Sequence, residues 1–263
     1  MELQEATQST TTSKKLCVME IFGPTIQGEG LVAGQQTLFV RFGGCDYRCE
    51  KCDSLHAVLP DLIHLSARYL TAKEIASELA AIRASTGVRW VTFSGGNPAI
   101  QQLDKLVDLV HALGMSIAVE TQGTIWANWL HKCDIVTVSP KGPGMGEKFK
   151  PELFEKFMTE LGGDISHQGF SVKIVIMDQR DIEFAVSIAN RWPWLKEGQD
   201  RFWLSLGNPF PPRVDGSPDG FELYELAAHY EILLEDLMQD YRLRFARILP
   251  QVHVLIWGNK KGV

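Results

Sequence analysis

From Thr71 onward the chain repeats one pattern: a short apolar run, a break of glycine, proline or small polar residues, then an amphipathic stretch. The apolar runs at 88–93, 116–120, 134–138, 171–177, 202–206 and 252–257 read as strands. The stretches at about 100–113, 124–131, 151–161, 179–191 and 221–238 read as helices. Thr71-Ala72-Lys73-Glu74 is a capping-box pattern that opens a further helix, with Ile75, Leu79 and Ile82 as its apolar stripe. Strand–helix alternation implies a mostly parallel sheet with helices outside it. Two earlier strands are expected at 16–22 and 37–42, separated by the turn-rich Gly23–Gly30 segment. A closed eight-fold barrel takes about 250 residues, and the units after residue 71 are too few to fill one. The expected fold is therefore α/β, a partial (open) β/α barrel. Gly142-Pro143-Gly144 and the proline-rich stretch after Asn208 read as loops, not linkers. One domain is expected over 16–263, behind a disordered polar leader at 1–15.

Composition narrows the setting. At 263 residues, 45% apolar and 22% charged, the chain can bury a core of ordinary size. A net charge of −6 provides no electrostatic footprint for nucleic acid. No stretch has the apolar length of a membrane span, and MELQEATQSTTTSKK lacks the apolar centre of a secretory signal. A cytoplasmic location is expected, where thiols stay reduced.

Three of the five cysteines fall within eight residues, as C-x3-C-x2-C at Cys45, Cys49 and Cys52 in VRFGGCDYRCEKCDS. Three thiolates suit a four-iron cluster that leaves one iron open to a small molecule. Zinc is an alternative, with His56 the nearest fourth ligand, because structural zinc sites want four. A disulfide pair is another. Gly43-Gly44 permits a tight loop after the strand. Cys17 and Cys133 lie in apolar runs and read as packed small side chains.

In such barrels ligands gather at the carboxyl ends of the strands. Ser94-Gly95-Gly96-Asn97-Pro98 follows the strand at 88–93, and its glycines allow close backbone approach to a ligand or simply a turn. Glu120-Thr121-Gln122-Gly123 offers a carboxylate that can accept hydrogen bonds from ribose hydroxyls or act as a loop acid. Ser139-Pro140-Lys141 places a lysine at the next strand end, in the site or on the surface. Val175, Ile176, Met177 and Asp178 end the following strand and either line a base or form plain core. Ahead of the cysteines, Ile26-Gln27-Gly28-Glu29-Gly30 bears an amide and a carboxylate. Such a pair can read the donor and acceptor edge of a heterocycle; the same segment can also be a turn.

The cysteine spacing resembles the radical S-adenosylmethionine (SAM) superfamily. With MEIFGPTIQGEG, FSGGNP, ETQGT, VSPK and the tail LPQVHVLIWGNKKGV in order, the chain from about Cys17 to Val263 resembles the 7-carboxy-7-deazaguanine synthase family. The resemblance implies conversion of 6-carboxy-5,6,7,8-tetrahydropterin to 7-carboxy-7-deazaguanine with loss of ammonia, on the way to queuosine. It implies a [4Fe-4S] cluster on Cys45, Cys49 and Cys52, and SAM as a regenerated source of a 5′-deoxyadenosyl radical. By position, SAM would meet Lys51, Cys52, Asp53, Gly96, Glu120, Ser139, Pro140, Lys141, Val175, Ile176, Met177 and Asp178. The pterin substrate would meet Ile26, Gln27, Gly28, Glu29, Arg41 and Ser94, with Arg41 gripping its carboxylate in a bidentate fork. Ser54 stands where many members have threonine, whose hydroxyl meets Mg²⁺. Asn97 stands where the usual form has glutamate. Family members are often homodimers, and flavodoxin is a plausible electron donor. Two rivals remain at this stage: a glycyl-radical activating enzyme, which shares the cluster and glycine motifs, and a zinc-stabilised binding module.

Overall fold

The computed structural model describes residues 14–162, 169–197, 200–213 and 220–263. Among them, nine strands form one sheet: β1 (Lys15–Ile26), β2 (Gln36–Phe42), β3 (Arg68–Thr71), β4 (Trp90–Gly95), β5 (Ser116–Thr121), β6 (Ile135–Val138), β7 (Phe170–Ile176), β8 (Phe202–Leu206) and β9 (Arg247–Pro250). Their order is β3-β1-β2-β4-β5-β6-β7-β8-β9. Every neighbouring pair from β2 to β9 is parallel. β1 runs antiparallel to both β2 and β3. β3 and β9 stand at the two edges, so the sheet is an open, partial barrel.

Helices cover the sheet: α1 (Pro60–Ser66), α2 (Ala72–Thr86), α3 (Asp104–Ala112), α4 (Pro151–Gly162), α5 (Gln179–Arg191), α6 (Leu223–Gln239) and α7 (Val252–Trp257). The expected capping box opens α2. The Glu74 amide donates to Thr71 Oγ1 at 3.3 Å, and the Thr71 amide donates to Glu74 Oε2 at 2.7 Å. Ile75 and Leu79 bury the inner stripe of that helix.

β7 shows how the barrel divides inside from outside. All seven of its residues are buried. Phe170, Val172, Ile174 and Ile176 join the main apolar core. The alternate residues turn inward, as the two-residue period of a strand requires. Ser171 Oγ lies 3.2 Å from Thr137 Oγ1, and Lys173 reaches two carboxylates. Thr37 and Thr92 make a similar inward pair at 2.9 Å. The lumen is thus lined with polar groups that bond to one another.

Several sequence expectations shift. Residues 252–257 form helix α7, not a strand, and the edge strand β9 precedes them. A short apolar run carries no period that separates the two. Pro250 is tolerated at the end of β9 because an edge strand need not donate every amide. Residues 124–131 yield one tight helical turn at Asn128–Lys132 instead of a helix. β1 continues through Gly23-Pro24 to Ile26, with a shift of register between Phe22 and Thr25. The stretch between the cysteines and Thr71 contains α1 and β3. Of the expected leader, residues 1–13 lie outside the described residues, and Lys15 already pairs with Thr71.

Candidate active site

The cysteine loop leaves the carboxyl end of β2. Its base is clamped by the end of β4: the Gly96 amide donates to Phe42 O at 3.1 Å, and the Asn97 amide donates to Gly44 O at 2.7 Å. A Cβ at Gly95 would stand 2.0 Å from Phe42 O, and one at Gly96 would stand 2.1 Å from Gly44 O. The backbone that these glycines approach most closely is therefore the protein's own loop, and both also line the cavity.

Cys45, Cys49 and Cys52 are free, partly buried, and face one cavity at the strand ends. The Cys52 amide donates to Cys49 O at 3.3 Å, which turns the loop so that both side chains share a side. Burial pushes the Cys49 thiol up to about 11 and the Cys52 thiol up to about 12. Such thiols stay protonated until metal displaces the proton. Among the described residues, no three His, Cys, Asp or Glu side chains gather tightly enough for one ion. A cluster instead takes each cysteine on a different iron, and three free thiols on one cavity wall fit it. His56, the possible zinc ligand, has Nε2 3.5 Å from Glu20 Oε2.

Two charge networks complete the cavity. Lys173, 1% exposed, places Nζ 3.0 Å from Glu29 Oε2 and 2.5 Å from Glu120 Oε1. Burial alone would lower the lysine pKa, but the two carboxylates outweigh it and the net shift is upward. Burial likewise opposes ionisation of Glu29, yet the charges of Lys173 and His253, with hydrogen bonds from Lys173 and Gln251, hold its carboxyl down. Nearer the cluster loop, Arg41 Nε donates to Glu20 Oε2 at 2.9 Å, and Nη1 donates to Ser54 Oγ at 3.0 Å. Ser54 Oγ donates onward to Asp53 Oδ1 at 2.8 Å.

The fold brings most of the expected residues to this cavity. Ile26, Gln27, Gly28, Glu29, Arg41, Lys51, Cys52, Asp53, Ser54, Ser94, Gly96, Glu120, Lys141, Val175 and Met177 all line it. Four others stand back from it. Ser139 is buried, and its Oγ accepts a hydrogen bond from Lys141 Nζ at 2.9 Å. Pro140 is buried behind the wall. Ile176 belongs to the outer core. Asp178 caps α5, accepting from the Arg180 amide at 2.8 Å and pairing with its guanidinium at 2.7 Å.

Further residues complete the site. Lys173 had a signal, a lone charge inside the apolar run Ser-Val-Lys-Ile-Val-Ile, since lysine is almost never fully buried unless paired. Gln251 had none. It donates to Glu29 Oε1 at 3.2 Å and accepts from the Asn208 amide at 3.0 Å. His253 and the tail 258–263 also line the cavity, and the Val252 amide donates to Gly28 O at 3.2 Å. The chain's last segment thereby braces the Gln27–Gly30 loop.

An open parallel barrel with three free cysteines on a loop after its first parallel strand defines an iron–sulfur protein of the radical SAM class. A family described as 4Fe-4S single cluster domain matches residues 26–140. The chain is 38% identical over 252 residues to a Bacillus subtilis protein named 7-carboxy-7-deazaguanine synthase, covering 95% of this chain and 100% of that one. A Bacillus cereus protein of the same name is 38% identical over 253 residues, covering 95% and 99%. The chain belongs to the 7-carboxy-7-deazaguanine synthase family. The crystal structure of QueE from Escherichia coli shares the fold, with a TM-score of 0.56 at 23% identity, over 91% of this chain and 95% of that one.

Proposed function

We propose that this chain converts 6-carboxy-5,6,7,8-tetrahydropterin to 7-carboxy-7-deazaguanine with loss of ammonia, as a lyase of queuosine and 7-deazapurine biosynthesis. The observation that carries this reading is that the three free cysteines share one cavity with the Arg41 guanidinium, the Gln27 amide and the Glu29 and Glu120 carboxylates. When bound, a [4Fe-4S] cluster and SAM supply the radical that removes a substrate hydrogen.

The chain's residues do the rest. Cys45, Cys49 and Cys52 hold the cluster. Glu120, held against Lys173 Nζ, accepts from the ribose hydroxyls of SAM, while Gly96, Lys141, Val175 and Met177 wall its methionine and adenine ends. Arg41 takes the substrate carboxylate; its Nε is fixed by Glu20, so the guanidinium plane is set before substrate arrives. Gln27 and Glu29 read the polar edge of the pterin. Ser54 offers its hydroxyl to Mg²⁺, with substrate oxygens and water completing the shell.

The same reading includes a homodimer, a flavodoxin reductant and a cytoplasmic setting. Exposed Tyr224, Ile232, Met238 and Tyr241 on and just after α6 support the first. No described helix is long and apolar enough to cross a membrane. Size in solution, turnover with reduced flavodoxin and cell fractionation test these three points.

The central test is an anaerobic assay of the purified protein with SAM, reductant and carboxytetrahydropterin. The expected products are 7-carboxy-7-deazaguanine and ammonia in equal amounts. Cleavage of SAM with no deazaguanine would reject the substrate and leave the radical SAM class standing.

A further inference from the structure

Gln122 follows β5 and is 6% exposed. Its Nε2 lies 2.6 Å from Asp46 Oδ1 and 3.4 Å from Cys45 Sγ. A carboxylate can only accept, so Asp46 fixes which end of the amide carries the hydrogens. Gln122 Oε1 stands 3.7 Å from the same sulfur, where a protonated thiol could donate to it. A thiolate bound to iron has no proton left, and only the Nε2 contact then survives. The Tyr47 amide donates to that sulfur as well, at 3.4 Å.

Asp46 is itself held. Asn97, with no exposed surface, donates from Nδ2 to Asp46 Oδ1 at 2.9 Å. Its Oδ1 accepts from Thr121 Oγ1 at 2.8 Å and from the Ala99 amide at 3.2 Å. The site thus demands a group that donates on one side and accepts on the other, as an amide does. A glutamate at 97, the usual residue in the resembling motif, would accept from Thr121 and Ala99 but would set a second carboxylate against Asp46.

We infer that Gln122 donates a hydrogen bond to the Cys45 thiolate that raises the reduction potential of the cluster, and that Asn97 and Asp46 hold its amide in that orientation. The inference rests on the proposed cluster at Cys45. Reduction adds one electron and makes the cluster sulfurs more negative. An N–H aimed at one of them stabilises the reduced form more than the oxidised one. Gln122 is a tuning residue, and its effect is read on the cluster itself, apart from turnover.

The experiment compares wild type with Gln122→Leu and Gln122→Met, which fill similar space without a donor. Each protein is reconstituted anaerobically, assayed for iron and sulfide, and titrated by potential with electron paramagnetic resonance detection in the absence of SAM. Both variants are expected to load iron as wild type does. Their potentials are expected to fall so that the reduced-to-oxidised ratio at a fixed potential drops about tenfold, equivalent to about 59 mV for one electron. Full loading with an unchanged potential in both variants overturns the inference. Failure of both variants to load, beside a loaded wild type, also overturns it, because Gln122 would then be needed for assembly and not for tuning. A wild type that binds no cluster sinks the proposed function first, and this inference with it.

Discussion

The cavity holds two charge networks that are built in opposite ways. Around Lys173, one buried cation lies between two carboxylates, with its own side chain 2% exposed, Glu29 10% and Glu120 25%. Around Arg41, the cation is 19% exposed and shares its donors among Glu20, Ser54 and the open cavity. The first network lies deep in the lumen, where the chain has already committed its charge. The second lies at the rim, where a guanidinium keeps a face for a ligand. A buried cation is cut off from solvent, and losing it leaves its carboxylates uncompensated. A partly wet pair is screened and loses less. On the proposed function, Lys173 holds Glu29 and Glu120 in place for the ligands, and Arg41 meets a ligand itself.

The largest expected effect is on folding. Lys173→Met leaves Glu29 and Glu120 facing each other without a cation. It should cost about 3–5 kcal/mol of stability, whereas Arg41→Met should cost about 1 kcal/mol. Urea unfolding of both proteins measures the difference, and equal losses would erase the distinction between the two networks.

A smaller effect separates recognition from shape. Arg41→Lys keeps the charge but not the planar fork. Substrate affinity should fall about tenfold, the loss of roughly one charge-assisted hydrogen bond of ~1.5 kcal/mol, while SAM affinity stays within about twofold. Separate anaerobic titrations of the two ligands decide it; a fall in SAM affinity alone would place Arg41 in the wrong subsite.

The smallest effect is on the acid limb of stability. His56, with Nε2 3.5 Å away, comes first and the Arg41 charge adds to it; against the opposing pull of burial they bring the Glu20 carboxyl from 4.5 to about 2. Because the folded value is depressed, this stabilisation is fully present above about pH 4.5 and is lost as pH falls toward 2. Glu20→Gln should therefore melt lower than wild type at neutral pH, and the gap should close between pH 4.5 and 2. Melting temperatures taken across that range test it. A gap that persists to pH 2 would mean that Glu20 acts through packing and not through its charge.

The two networks also differ in how far they could be read from the chain. Arg41 sits in a recognisable strand just before the cysteine loop, and Ser54 sits just after it. The partners of Lys173 come from the Gln27–Gly30 loop and from the end of β5, far away in sequence. A lone charge in an apolar run marks Lys173 as paired, but no local pattern names partners that arrive from elsewhere. The partners of Gln251 are also distant in sequence, and the short apolar run after it carries no period that separates helix from strand. Asp178, expected at SAM, caps α5, a use that its place just before a helix made available.

The sequence by itself determined the three-cysteine loop, the alternation that makes an open parallel barrel, and the family, because each lies in contiguous residues or in a simple period. Only the tertiary structure decided that Gly95 and Gly96 clamp the loop's own backbone, that the tail braces the substrate-side loop, and that Asn97 reaches Cys45 through Asp46 and Gln122. Those contacts join segments that the chain brings together only when the sheet curls. Their energies depend on burial and on distances of about 3 Å, which no one-dimensional pattern encodes.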